Sequence, residues 1–472
     1  NNGEAGYYDI TMTDAGNGKW NVSILKTAGQ MDVVPDQTYT GSEIKPEPLV
    51  MAGSLSLTKG TDYVYSYTNN TNVGTAKVRA TFQDNYASLG YVEKEFKIVK
   101  SMTNNDISIT IPSQTWTGNE LTPVITVKDG ETVLTENTDY TVTAPSGPVE
   151  DSGNYAYTIT GMGNYAGSRE ATFTITPRLA RQYGAVYIYQ DQNGMTALLD
   201  GTSVDPVDID YNHNMIVNHV TSNRVFTPGI ASTVMLPFNY TCNGNEGGTF
   251  YKFVGVKKEN DKWVATMQET GNDANNEGTL EANTPYLFMP AATTMTFPNI
   301  NGSVWLFTQV GGSGGNCETA DPGSHWTFKG TYWFKEWNSS NYYDAEEIGR
   351  AYGFAGVAKD GINVGDFVRV ASGAKIRPMR AYLLWSDTPN NARALTRAAT
   401  NDDTELPQRI TVRLVGANGE VTNIGTISMD NGQWIIDNGV EGDWYSLDGR
   451  KLNGKPATKG VYINNGKKIV VK

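Results

Sequence analysis

Six aromatic residues, Trp326, Tyr332, Trp333, Trp337, Tyr342 and Tyr343, fall within eighteen positions. Carbohydrate-binding surfaces use this density of rings to stack on sugars. In an extended strand, however, Tyr332 and Phe334 face one way and Trp333 the other. Part of the cluster is therefore expected in a core, because large aromatics routinely fill β-sandwich interiors. A second candidate is the run Asp208, Asp210, Asn212 and Asn214, which alternates with Ile209, Tyr211 and His213. One extended face would then carry four oxygen ligands for a hard cation such as calcium. The run lacks the glycine and terminal glutamate of an EF-hand loop, and a solvated loop or charged edge strand explains the same pattern. The best carboxylate pair for glycoside hydrolysis is Asp344 with Glu346 or Glu347. These residues sit too close in sequence to flank a sugar bond from opposite sides. The N-terminal turn of a helix at 343–350 favours such acids without any catalysis.

Other catalytic chemistry has little to stand on. Cys242 and Cys317 lie 75 residues apart without a CxxC partner, so they offer no structural zinc set and leave open either one disulfide or two packed thiols. His213, His219 and His325 fall in no HExxH pattern and beside no GxSxG serine. The sequence accordingly predicts a non-enzymatic protein, with no catalytic residue, no cofactor and no metal beyond the weak candidates Asp208, Asp210 and Asn212.

The elements that would carry these residues are strands. The 472 residues include 50 Gly, 26 Tyr and 10 Trp, with only 18% charged. That composition describes β-branched and aromatic strands joined by turns, an all-β fold. Thirty-seven Lys and Arg against 50 Asp and Glu give a net charge of -13, a poor match for phosphate backbones or anionic lipid, so nucleic acid is not an expected partner. No apolar run is long enough to suggest a transmembrane helix. The start at Asn1, without Met or an apolar leader, fits a mature or trimmed exported protein.

A tandem repeat organises the first part of the chain. Gln37-Thr38-Tyr39-Thr40-Gly41 returns as Gln114-Thr115-Trp116-Thr117-Gly118, and Thr61-Asp62-Tyr63 as Thr138-Asp139-Tyr140, both at an offset of 77. Asn85-Tyr86-Ala87 returns as Asn164-Tyr165-Ala166, and Phe96 and Ile98 as Phe173 and Ile175. Short apolar alternations between Gly, Asn and Asp turns predict a small two-sheet sandwich in each unit, at residues 31–101 and 102–178. With Gly60-Thr61-Asp62-Tyr63 and Gly163-Asn164-Tyr165, the units resemble bacterial Ig-like repeats of the MBG kind. Asn137 replaces the first glycine in the second unit and Asp84 the last in the first. Residues 1–30 read as a hairpin around Asp14 to Gly18, the end of a truncated earlier repeat.

Residues 179–387 predict a larger β-sandwich or jelly roll with long Asn/Gly loops, 388–407 a polar linker, and 408–472 a small C-terminal sandwich of five strands beginning at Ile410. The middle segment contains Arg224-Val-Phe-Thr-Pro-Gly229, Asn283-Thr-Pro-Tyr-Leu287, Trp326-Thr-Phe-Lys-Gly330 and Pro378-Met-Arg-Ala-Tyr-Leu383. It resembles a domain found in surface proteins of gut Bacteroidetes described as adhesins, which implies surface exposure and adhesion. Trp444-Tyr-Ser-Leu-Asp-Gly-Arg450, Lys459-Gly-Val-Tyr462 and Gly466-Lys-Lys468 resemble the C-terminal domain of Bacteroidetes cargo of type IX secretion. That resemblance implies export across the outer membrane, with the domain as an address read by export machinery. The expected whole is a secreted or cell-surface adhesion protein whose Ig-like repeats are spacers and whose partner is a host or microbial surface protein or glycan. A carbohydrate-binding module using Trp326, Trp333, Trp337, Tyr342 and Tyr343 is the first alternative, and a glycoside hydrolase the second.

Overall fold

A computed structural model describes residues 8–210, 215–270, 278–300, 302–308, 317–356, 364–390, 406–417, 419–423, 427–430, 433–436, 444–446, 451–452, 460–464 and 467–471. The fold is all-β, and among the described residues helix is confined to a 3-10 turn at Asp84–Leu89 and an α-helix at Tyr342–Glu347. The chain forms two compact units, Asn1–Pro177 and Arg178–Lys472.

The first unit opens with an antiparallel hairpin of β1 (Tyr8–Gly16) and β2 (Lys19–Lys26). Met12 stands opposite Val22 and Asp14 opposite Trp20, so Tyr8, Ile10, Met12, Trp20 and Val22 share one face, which is exposed. The first repeat follows as β3 (Gly29–Met31), β4 (Gln37–Thr38), β5 (Val50–Ala52), β6 (Leu55–Ser56), β7 (Tyr63–Thr68), β8 (Gly74–Phe82) and β9 (Tyr91–Ser101). One sheet runs β3-β5-β6, and the other joins β7, β8 and β9, with β4 parallel to β9. Met31, Val50, Tyr63, Val78, Phe96 and Ile98 fill the space between them. The second repeat, β10 (Ile107–Thr110), β11 (Gln114–Thr115), β12 (Thr126–Asp129), β13 (Thr132–Val133), β14 (Tyr140–Thr143), β15 (Gly153–Gly161), β16 (Tyr165–Ala166) and β17 (Ser168–Thr176), repeats the plan. Its sheets run β10-β12-β13 and β11-β17-β15-β14, around Val127, Tyr140, Ile159, Phe173 and Ile175.

The repeated motifs are turn chemistry. Asp62 accepts the Thr58 N–H at 2.7 Å and Asp139 accepts the Thr135 N–H at 2.8 Å, so the same carboxylate closes the same turn twice. Gly60 has φ 86° and its counterpart Asn137 φ 62°, while Gly163 has φ 68° and Asp84 φ 48°. Each departure from glycine thus keeps the left-handed backbone, which Asn and Asp enter more readily than other side chains do.

In the second unit, Arg178–Tyr183, Val186–Asp191, Gly194–Leu199 and His219–Ser222 form a four-stranded sheet. A larger mixed sheet of eleven strands among the described residues runs from Ser232–Met235 through Pro285–Pro290, Gly248–Glu259 and Lys262–Glu269 to Arg409–Val415. It continues through Phe367–Arg369, Ala351–Phe354, Arg380–Trp385 and Trp326–Thr331 to Glu318–Ala320. The strand expected to open a separate C-terminal domain belongs here. Arg409–Val415 pairs in parallel with Lys262–Glu269 and antiparallel with Phe367–Arg369, and buries Ile410, Val412 and Leu414 beside Phe253, Met267 and Phe367. Alternation made it a strand, and the unfilled sheet position beside Lys262–Glu269 gave that strand its place. Most of the expected linker, residues 391–405, lies outside the described residues. Beyond the large sheet, Ile427–Asp430 pairs with Gln433–Ile436, and Lys451–Leu452, Trp444–Ser446, Gly460–Asn464 and Lys467–Val471 form a four-stranded antiparallel sheet. Asp448, Gly449, Asn465 and Gly466 lie outside the described residues.

Candidate functional site

The aromatic cluster divides sharply by burial. Trp326 and Trp337 are 2% and 1% exposed, whereas Trp333 and Tyr342 are 61% and 71% exposed. Trp326, in the strand Trp326–Thr331, packs edge-to-face on Tyr352 and against Trp263, with ring centroids 5.3 and 5.8 Å away. Trp337 meets Tyr382 edge-to-face at 5.1 Å and donates its indole N–H to Glu347 Oε2 at 3.0 Å. Both are core residues and leave the proposed stacking surface. A flat platform of two or more tryptophans does not form from this set. Tyr343 lies in the helix Tyr342–Glu347, and its side chain is outside the described residues.

Trp333 and Tyr342 remain exposed, and Trp333 lies just past the end of the strand Trp326–Thr331. Its N–H donates to Thr331 Oγ1 at 3.0 Å, and the Thr331 hydroxyl donates back to its carbonyl at 2.9 Å. This tight turn buries Tyr332, whose hydroxyl donates to Asn283 Oδ1 at 2.7 Å, and turns Trp333 outward. A cleft of about 400 Å³ opens beside it, lined by Asp208, Lys329, Tyr332, Trp333, Lys335 and Tyr382.

The carboxylates near this cleft are already engaged. Lys335 Nζ lies 3.1 Å from Asp344 and 3.0 Å from Glu347, and Lys329 Nζ lies 3.2 Å from Glu347. The Tyr382 hydroxyl donates to Glu347 as well, 3.2 Å from each carboxylate oxygen. Burial alone would push the Glu347 carboxyl up, but the two lysines and the indole N–H hold it below the usual carboxylate range. Glu347 is therefore an ionised buttress under Trp337 and Tyr382, and a general acid needs the opposite shift. Asp344 and Glu347 serve the fold as partners of the same lysine.

Asp208 and Asp210 flank the buried Ile209, so their alternation is real, but they fall in no strand. Asn212 and Asn214 lie outside the described residues. No group of three or more His, Cys, Asp or Glu side chains suited to a metal ion occurs among the described residues. Cys242 and Cys317 are free thiols packed against the same apolar cluster, which contains Phe238, Tyr240 and Leu280. Burial pushes the Cys242 thiol up to about 12, with Glu246 adding to the shift. A protonated thiol in that setting behaves as a small hydrophobe.

A second cleft, of about 420 Å³, was not signalled by any motif of known chemistry. Arg224, Arg377 and Arg380 line it, together with Val225, Phe354 and Ile376. Arg224 and Arg380 come from two of the segments that carried the resemblance in the middle domain, and the fold brings them together across more than 150 residues. No protein-family model matches the chain, and none of the curated proteins is similar to it.

Proposed function

We propose that this is a non-enzymatic protein exported to the cell surface, in which the Ig-like repeats act as a spacer and the larger β unit makes the contact. The observation that carries the reading is the joint between the repeats. β16 of the second repeat pairs in parallel with Lys100 and Ser101 at the end of β9, so the sheet of the first repeat extends into the second. Lys100, with a side chain only 8% exposed, sits between Asp106 at 2.9 Å and Asp129 at 2.5 Å, and the Tyr165 hydroxyl donates to Asp129 at 3.2 Å. Hydrogen-bonded and ion-paired junctions of this kind hold successive modules in one orientation, which is what a spacer requires. The C-terminal sheet takes the role of export address in this reading, on the resemblance of its sequence alone.

Glycan capture is the second reading, favoured by the outward Trp333 beside the cleft of Lys329, Tyr332 and Lys335. An indole standing clear of the surface next to hydrogen-bonding groups is a suitable stacking partner for a sugar ring. A binding screen of the full chain against matrix proteins and neutral glycans separates the two. Saturable glycan binding lost in Trp333→Ala selects capture, matrix binding that survives the substitution selects adhesion, and binding to neither removes both.

A further inference from the structure

The cleft lined by Arg224, Arg377 and Arg380 gathers three arginines that have no acidic partner among the described residues. Its lining residues include no Asp or Glu among the described residues. Arg380, at the start of Arg380–Trp385, donates to the Gly201 carbonyl at 3.0 Å, and burial lowers its guanidinium to about 10, with no carboxylate among the described residues offsetting the loss of water. Arg224 donates to the Thr233 carbonyl at 2.8 Å and to the Ser232 hydroxyl, and its guanidinium lies 4.6 Å from the centre of the Phe226 ring. Both guanidiniums are thus held in place by neutral groups, with donors to spare out of five each. Gly201, whose carbonyl accepts from Arg380, also leaves room for Arg224: a Cβ there would lie 2.5 Å from the Arg224 Cβ. Arg377 is exposed at the rim. Lys375, also on the lining, differs in having an acidic partner, Glu336 at 3.3 Å.

Half-buried arginines with neutral anchors are costly in the empty protein, and an arriving anion offsets that cost. The size of the cleft suits a small molecule, near the lower end of ordinary ligand pockets. The guanidinium fork matches a planar carboxylate in two parallel hydrogen bonds, and Phe354, Val225 and Ile376 offer apolar surface to the body that carries it. We propose that this cleft binds the carboxylate of an acidic sugar residue, a uronic acid being the simplest. The site is separate from Trp333, so it stands or falls independently of glycan capture there. The protein's net charge of -13 works against long polyanions and leaves this local patch to select a compact, singly charged group.

Titration calorimetry of the full chain with glucuronate and galacturonate oligosaccharides tests the assignment, with the neutral glucose and galactose counterparts and sulfated oligosaccharides as parallel arms. Saturable binding to a uronate, weakened at least about tenfold in Arg380→Met, is the expected result. Arg377→Gln, exposed and remote from the core, is expected to weaken it less while leaving thermal stability unchanged. Uronate is also expected to raise the melting temperature of the wild type and not that of Arg380→Met, which separates a ligand contact from a merely structural arginine. Equal binding of neutral and acidic sugars, binding of sulfated sugars alone, uronate binding unaffected by either arginine, or no uronate binding at all would each overturn the proposal.

Discussion

Lys100 and Arg380 are both cations taken largely out of water, and the protein treats them in opposite ways. Lys100, at the joint of the repeats, has two aspartates within 2.9 Å. Burial alone would lower its ammonium, but hydrogen bonds and charge from Asp129 and Asp106 raise it above the usual lysine value. Arg380 has a carbonyl and, among the described residues, no carboxylate, and its guanidinium is lowered. A cation compensated within the chain belongs to the architecture. One left uncompensated lowers stability and keeps its charge for something else.

Substitution should separate the two cases. Lys100→Met removes the cation from between two carboxylates, one of them, Asp129, only 22% exposed. It is expected to cost the first unit about 2 kcal/mol and loosen the joint, read as a lower denaturation midpoint and faster hydrogen exchange at Met102, whose N–H donates to the Ala166 carbonyl across the joint. Glu347 is the anionic mirror of Lys100, a buried carboxylate holding two lysines. Its folded value lies below that of the unfolded chain, so its contribution is complete above about pH 4.3 and is lost as pH falls through the lowered folded value. Glu347→Gln should cost about 1–2 kcal/mol at neutral pH and flatten the acid limb of a stability-against-pH profile; an unchanged acid limb would place the compensation elsewhere. Arg380→Met should have the smallest effect and the opposite sign, leaving stability unchanged or raising it by up to about 1 kcal/mol in the absence of ligand. A clear loss of stability in its thermal melt would make Arg380 an architectural residue like Lys100.

Much of the first unit was legible because its information is local. Turns closed by Asp62 and Asp139, positive φ at Gly60 and Asn137, and alternating apolar residues all act within a few positions, so an offset of 77 residues exposed them. The joint was less visible. Lys100, Asp106 and Asp129 look like ordinary surface charges until β16 is laid against β9. In the second unit the decisive partnerships are long-range. Ile410 to Leu414 read plainly as a strand, but nothing nearby in sequence says that its neighbour is Val264 to Gln268. The rings at 326–343 were visible as a group, and alternation correctly set Tyr332 inward and Trp333 outward, where the Thr331 hydroxyl turn holds them, but it failed at Phe334, which is exposed rather than facing in with Tyr332. Trp337, a member of the alternative sugar-stacking surface, belongs instead to the part of the cluster that is core, where Glu347, ten residues on, accepts its N–H. Arg224 and Arg380 carried no signal as a pair, since only the packing of two distant segments makes them neighbours.

The parallel pairs at the ends of each repeat bear on how the molecule responds to pulling. Gln37 and Thr38 lie beside Ile98 and Val99, and Gln114 and Thr115 beside Ile175 and Thr176, so an early strand of each repeat runs alongside its last one in the same direction. Tyr39 and Trp116 add backbone hydrogen bonds to the Val99 and Thr176 carbonyls at 2.9 and 2.8 Å. Tension drawing β4 and β9, or β11 and β17, apart along the strand direction shears those bonds together, whereas an antiparallel hairpin pulled at its open end unzips one bond at a time. Resistance to such tension is set by the rate of unfolding more than by equilibrium stability. Each repeat is therefore built as a tether in which an early strand and the last strand share the strain.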